Sequence, residues 1–131
     1  MRSKILFISP SIADARRLAR MLHALPVVVD HADGVQSAFN KLRQEPYEVL
    51  LTEAALPDGG WLDVLRLARE SGAELEVIVT DPHADARFWA EALNLGAYDL
   101  LTQPFYEPEV RRILYNACSR LHAPMHSVAA V

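Results

Sequence analysis

The chain has one cysteine, Cys118, among 131 residues, so it builds no internal disulfide framework and suits a reducing cytosol. Positive charge is in deficit. Lys and Arg number 13 against 17 Asp and Glu, for a net charge of −4, which gives no electrostatic ground for a direct nucleic-acid partner. Long hydrophobic runs are missing too. Met1-Arg2-Ser3-Lys4 leads into a short apolar stretch before Pro10, which is no secretory signal, and no run approaches the length of a membrane span. The Asp58-Gly59-Gly60 turn lacks the Lys-Ser/Thr sequel of a phosphate-cradling loop. His23, His31, His83, His122 and His126 show no metal-ligand spacing and are expected at the surface. No repeat or low-complexity segment appears. What remains is the expectation of a soluble, cytoplasmic domain, 51% apolar and 23% charged.

What is present alternates. Short apolar runs at 5–8, 27–29, 49–52, 77–80 and 98–101 read as buried strands. Between them lie segments of helical period. Ser11 or a neighbour is expected to cap the first, with Ala15, Leu18, Ala19, Leu22 and Leu25 inward and Arg16, Arg17 and Arg20 outward. Asp33 is expected to cap the second, with Val35, Ala38, Phe39 and Leu42 inward. Leu62, Leu65 and Ala68 define the inner face of the third, which Gly72 ends. Asp81-Pro82 is expected to open the fourth, with Trp89 in the core and Phe88 partly exposed. The last runs over 107–121 on Val110, Ile113, Leu114, Ala117 and Leu121, and Cys118 is expected to be buried on it. Helices between successive strands make those strands parallel. The fold class is therefore α/β, a single doubly wound (βα)5 sheet of flavodoxin-like type with strand order 2-1-3-4-5. Residues 1–121 form the domain. Residues 122–131 read as a tail or the start of a linker to an output domain.

The carboxyl ends of the strands carry the chemistry in such sheets. There the sequence places Ser9 and Pro10, Glu53, Thr80, and Gln103-Pro104. Glu53 ends an apolar strand and is followed by Leu56-Pro57-Asp58. With Lys4 to Ile8, Ala32-Asp33-Gly34, Thr80, Gly96-Ala97 and Pro104-Phe105, this pattern resembles the receiver domain of two-component response regulators over about residues 4–120.

The resemblance implies a site of five positions: an acidic pair and an Asp that hold Mg²⁺, a hydroxyl, and a Lys. Carried over, the acidic pair falls on Ser9 and Pro10, the phosphoacceptor on Glu53, the hydroxyl on Thr80 and the Lys on Gln103. Ser9 and Pro10 offer no carboxylate to Mg²⁺, and Gln103 supplies no cation for a transferring phosphoryl group. The expectation is a degenerate receiver without a catalytic residue, metal or cofactor. It would act as a phosphorylation-independent module whose partner is an output domain, a sensor kinase or a second copy.

Dimerisation is expected through helix four, strand five and helix five, with Phe88, Tyr98, Tyr106, Tyr115, Arg111 and Arg112 as interface residues. Two other readings stand beside this one: a phosphorelay receiver with an atypical acceptor, and a small-molecule binder at the same crevice. Glu53 itself is either a solvated carboxylate or a latch that reaches the Thr80 hydroxyl and the Gln103 amide. Thr80 is expected chiefly as a turn or capping hydroxyl.

Overall fold

A computed structural model describes residues 2–122 of the chain, with side chains described to residue 118; of the tail assigned to 122–131, His122 ends the last helix and residues 123–131 lie outside the described residues. Five parallel strands form one sheet in the order β2-β1-β3-β6-β7. They are β1 (Ser3–Ile8), β2 (Val27–Ala32), β3 (Val49–Glu53), β6 (Glu76–Asp81) and β7 (Asp99–Thr102). A two-residue hairpin, β4 (Ala55–Leu56) with β5 (Gly59–Gly60), is inserted after β3. The helices are α1 (Ile12–Met21), α2 (Val35–Gln44), α3 (Trp61–Glu70), α4 (Ala86–Leu95) and α5 (Glu107–His122). The expected strand order and crossovers are therefore those observed.

The central strands are apolar at nearly every position because helices cover both faces of the sheet. Side chains that alternate along a strand enter different cores. Leu6, Ile8, Leu50, Val77, Val79 and Leu100 pack with α2, α3 and α4. Ile5, Phe7, Val49, Leu51, Ile78 and Leu101 pack with α1 and α5. Cys118 is buried in this second core, and that burial raises its thiol pKa. At the amino end of the sheet, Tyr47 is also buried, its hydroxyl 2.7 Å from Asp30 Oδ2 and 3.1 Å from Glu45 Oε2.

Several helix expectations are corrected. Ala19, Phe39 and Leu62 are exposed, and the inner face of α3 is Trp61, Val64, Leu65 and Ala68. Phe39 instead lies beside the Arg43 guanidinium, 5.6 Å from its ring centroid. Asp81 does not cap α4. It ends β6 and accepts the His83 N–H, while Asp85 caps the helix by accepting the Phe88 N–H at 2.9 Å. Phe88 packs onto Trp61, ring centroids 6.1 Å apart, and stays partly exposed as expected, whereas Trp89, expected in the core, is 45% exposed. Gly96 ends α4 at φ 118°, where the Arg69 guanidinium closes over it to donate to the Leu95 carbonyl at 2.6 Å.

Candidate functional site

Register brings the site residues to one rim. Glu53 lies level with Thr80, Thr80 with Leu101, and Ile8 with Thr52. The next residue after β1 is Ser9, and Gln103 follows β7. All four expected positions with side-chain chemistry therefore meet at the carboxyl edge, but as two pairs.

The first pair is Ser9 with Glu53. Ser9 is fully buried, and its hydroxyl donates to Glu53 Oε2 while accepting the Ser11 N–H at 3.0 Å. Ser11 in turn caps α1 by accepting the Asp14 N–H at 3.1 Å. The first turn of α1, the end of β1 and the end of β3 are thus tied through two hydroxyls, those of Ser11 and Ser9. His31 joins from β2, its Nε2–H donating to the Ser9 carbonyl at 2.7 Å. A carbonyl has no proton to give, so Nε2 carries the hydrogen. His31 is half-buried and part of the site's support, which corrects its placement among surface histidines.

The second pair is Gln103 with Thr80. Gln103 Nε2 donates to Thr80 Oγ1 at 3.1 Å, and Thr80 is fully buried. Thr80 is neither a cap nor a turn residue; it is a strand hydroxyl that joins β6 to the segment after β7. The next residue back, Thr102, sends its hydroxyl to Glu109 Oε1 of α5 at 3.1 Å. The expected latch from Glu53 to Thr80 and Gln103 is not formed. Each of those groups has a nearer partner of its own.

The crevice does not fit Mg²⁺. That ion takes carboxylates and water in octahedral array. Here Glu53 Oε2 and Ser9 Oγ are bonded to each other, and Pro10 has no side-chain donor. Among the described residues no group of three or more His, Cys, Asp or Glu is placed to hold a metal ion.

The loop after Glu53 holds a feature the sequence reading missed. Asp58 Oδ1 accepts the Val35 N–H at 2.8 Å and Oδ2 accepts the Gln36 N–H at 3.0 Å. Asp58, and not Asp33, caps α2, while Gly34 sits at the N-cap without a side chain. The Gln36 and Val35 amides hold the Asp58 carboxyl below the usual Asp range. The extra Asp in a Leu-Pro-Asp turn was visible, but its partner lies 23 residues upstream.

Of the expected interface residues, Tyr106 and Arg112 are exposed, and Arg111 pairs with Glu107 at 3.5 Å. Tyr115 is 51% exposed. Phe88 and Tyr98 are half-buried, Phe88 against Trp61 and Tyr98 against the second core. Trp89 was not expected on this face, yet it lines a cleft with Leu100, Thr102, Glu109, Arg112 and Ile113 between α4 and α5.

Comparison with known proteins agrees with this architecture. The chain matches the response regulator receiver domain over residues 9–115. It is 30% identical over 103 residues to the probable transcriptional regulatory protein SilR of Salmonella typhimurium, covering 78% of this chain and 45% of that protein. It is 32% identical over 88 residues to the DNA-binding transcriptional regulator NtrC of Proteus hauseri, covering 67% of this chain and 18% of that one. The chain thus spans less than half the length of either relative. Among solved structures, the signal receiver domain of a putative LuxO repressor protein from Vibrio parahaemolyticus superposes with a TM-score of 0.85 at 18% identity, over 92% of each chain. The receiver domain of an HD domain-containing protein from Pseudomonas fluorescens Pf-5 gives 0.83 at 23%, over 95% of this chain and 100% of that one. Sequence, fold and the placing of Glu53 at the end of the central strand agree: the chain belongs to the response regulator receiver domain family.

Proposed function

We propose that this receiver domain signals without aspartyl phosphorylation, as a protein-interaction module of a two-component regulator. One observation carries the reading: the Glu53 carboxylate is engaged by the Ser9 hydroxyl at the place where a metal would have to bind. Phosphoryl transfer to a carboxylate needs positive charge to offset the equatorial oxygens. Ser9, Pro10 and Gln103 supply none.

The partner is an output domain, a sensor kinase or a second copy in the cytoplasm. It meets the face formed by α4, β7 and α5, where Trp89, Tyr106 and Arg112 are exposed. Aromatics and Arg are the residues that anchor interfaces.

Incubation with a small-molecule phosphoryl donor and Mg²⁺, followed by intact mass measurement, tests the first part. The protein mass stays unchanged. A stoichiometric acid-labile phosphoryl adduct would overturn the reading.

A further inference from the structure

We propose that Asp58 is a positioning residue, a clasp that fastens the loop behind Glu53 to the first turn of α2. The proposal goes beyond the reading of the crevice and concerns how that crevice is held.

A helix begins with backbone N–H groups that have no partner within the helix. A cap normally supplies the acceptor from the N-cap side chain. In α2 the N-cap is Gly34, which has none. Both carboxylate oxygens of Asp58 reach in from the hairpin tip instead, one to Val35 and one to Gln36. The absence of a side chain at position 34 is a condition of this contact. A Cβ built on Gly34 would lie 2.6 Å from Asp58 Oδ1. The φ of Gly34 is −173°, extended backbone that any residue adopts, so the conflict is with Asp58 and not with the backbone.

The loop is also fixed at its base. The Ala54 N–H donates to the Thr80 carbonyl at 3.0 Å, and the Trp61 N–H donates to the Ala54 carbonyl at 3.0 Å. Between base and tip the hairpin pairs Ala55 with Gly60 and Leu56 with Gly59. Glu53 immediately precedes this unit. A pull on α2 therefore reaches Glu53 through Asp58 and a short, doubly anchored hairpin. The clasp works in the unmodified protein, so phosphoryl uptake at Glu53 would refute the proposed function and leave the clasp untouched.

Amide hydrogen exchange followed by NMR tests it on the whole chain. In Asp58→Ala the Val35 and Gln36 amides exchange at least about fivefold faster, the loss expected of a helix cap. The Ala54 and Trp61 amides, beside Glu53, speed up with them, while Leu50 and Val79 in the central strands do not. Asp58→Asn, which keeps one acceptor oxygen, falls between. Gly34→Ala leaves Asp58 in place but displaces its carboxylate, and reproduces the same pattern. Added to Asp58→Ala, it changes nothing further at Ala54 and Trp61. Faster exchange confined to Val35 and Gln36 would make Asp58 a helix cap only and overturn the proposal. Unchanged exchange at all four amides, or uniform acceleration that includes Leu50 and Val79, would overturn it as well.

Discussion

The Ser9 hydroxyl donates to the Glu53 carboxylate across 44 residues of sequence, joining β1 to β3 at the rim of the sheet. A hydrogen bond to an ionised group contributes about 1.5–3 kcal/mol when shielded, and less where water competes. Glu53 is half-buried, so the lower end applies. Ser9→Ala removes the donor, and also an acceptor that the Ser11 N–H uses. It should lower unfolding free energy by about 1–2 kcal/mol in urea titration. Glu53→Gln keeps the shape and one acceptor, and should cost less than Ser9→Ala.

Gln103 and Thr80 form the second bond of the rim. Thr80 is fully buried, so Gln103→Ala leaves its hydroxyl without the Nε2 donor in a place water does not reach. The expected loss is about 1 kcal/mol, with the largest amide shifts at the ends of β6 and β7. Gln103→Lys should not restore it, because an ammonium at that position has Glu53 and not Thr80 as its preferred partner. Equal stability of wild type and Gln103→Ala in thermal melts would show the contact to be unimportant.

Much of this fold was legible because buried parallel strands are apolar runs and helices bury a periodic stripe. The runs around Ile5, Val49 and Val77 left no other reading. The edges were harder. β2 extends through Asp30 and His31, polar residues that an edge strand tolerates and a hydrophobicity pattern does not show. On α4 two Asp residues stood before the helix, and the nearer to the strand looked like the cap because Pro follows it. Asp85 caps instead, and the inner face is set by fully buried Ala92 with Phe88 one turn before it. Trp89 was placed inward because Leu93 follows one turn later, but Leu93 is itself exposed and Ala92 held the better clue. At the site, the four positions could be read from their strand ends, but the pairing among them could not. Whether Glu53 reaches Thr80 or Ser9 depends on side-chain reach across strands that are distant in sequence.

Acid should leave the Asp58 contact intact longer than an ordinary surface carboxylate contact. Its folded pKa is lowered by the Gln36 and Val35 amides, so the unfolded chain binds the proton more readily. The contribution is fully present above the unfolded Asp value of about 4 and is lost as pH falls through the lower folded value. Chemical shifts of the Val35 and Gln36 amides, followed through an acid titration, should therefore show a midpoint below that of a free Asp. A midpoint at or above about 4 would contradict the two hydrogen bonds.

Tyr47 should prove a structural residue through its hydroxyl. Burial and then the bond to Asp30 push its pKa up. One hydroxyl proton serves two acceptors, and Lys4 Nζ, 2.8 Å from Glu45 Oε2 and 3.8 Å from Asp30 Oδ2, offsets one of their two charges. Tyr47→Phe keeps the ring in the first core and strips the donor from Asp30. The expected cost is about 1 kcal/mol at neutral pH, since Asp30 and Glu45 retain Lys4 and water. Absorbance of Tyr47 should show no phenolate at pH values where exposed tyrosines have ionised.

Phe88 and Trp89 are neighbours in sequence, and alanine at each should separate stability from recognition. Phe88 packs on Trp61 beneath α4, so Phe88→Ala opens a gap that the helix cannot close without losing Ala92 from the core. A loss of about 2–3 kcal/mol is expected, below the full range for a buried Phe because Phe88 is only half-buried. Trp89 is 45% exposed and borders the cleft with Arg112. Trp89→Ala should change stability by no more than about 0.5 kcal/mol, as exposed substitutions usually do. If the α4–β7–α5 face is the partner surface, Trp89→Ala and Arg112→Glu weaken association in sedimentation or titration with the partner, while Phe88→Ala acts only through loss of fold. Association that survives both surface changes in a protein of wild-type stability would move the interface to another face. Strong destabilisation by Trp89→Ala with none by Phe88→Ala would instead mean that α4 is rotated from the orientation described here.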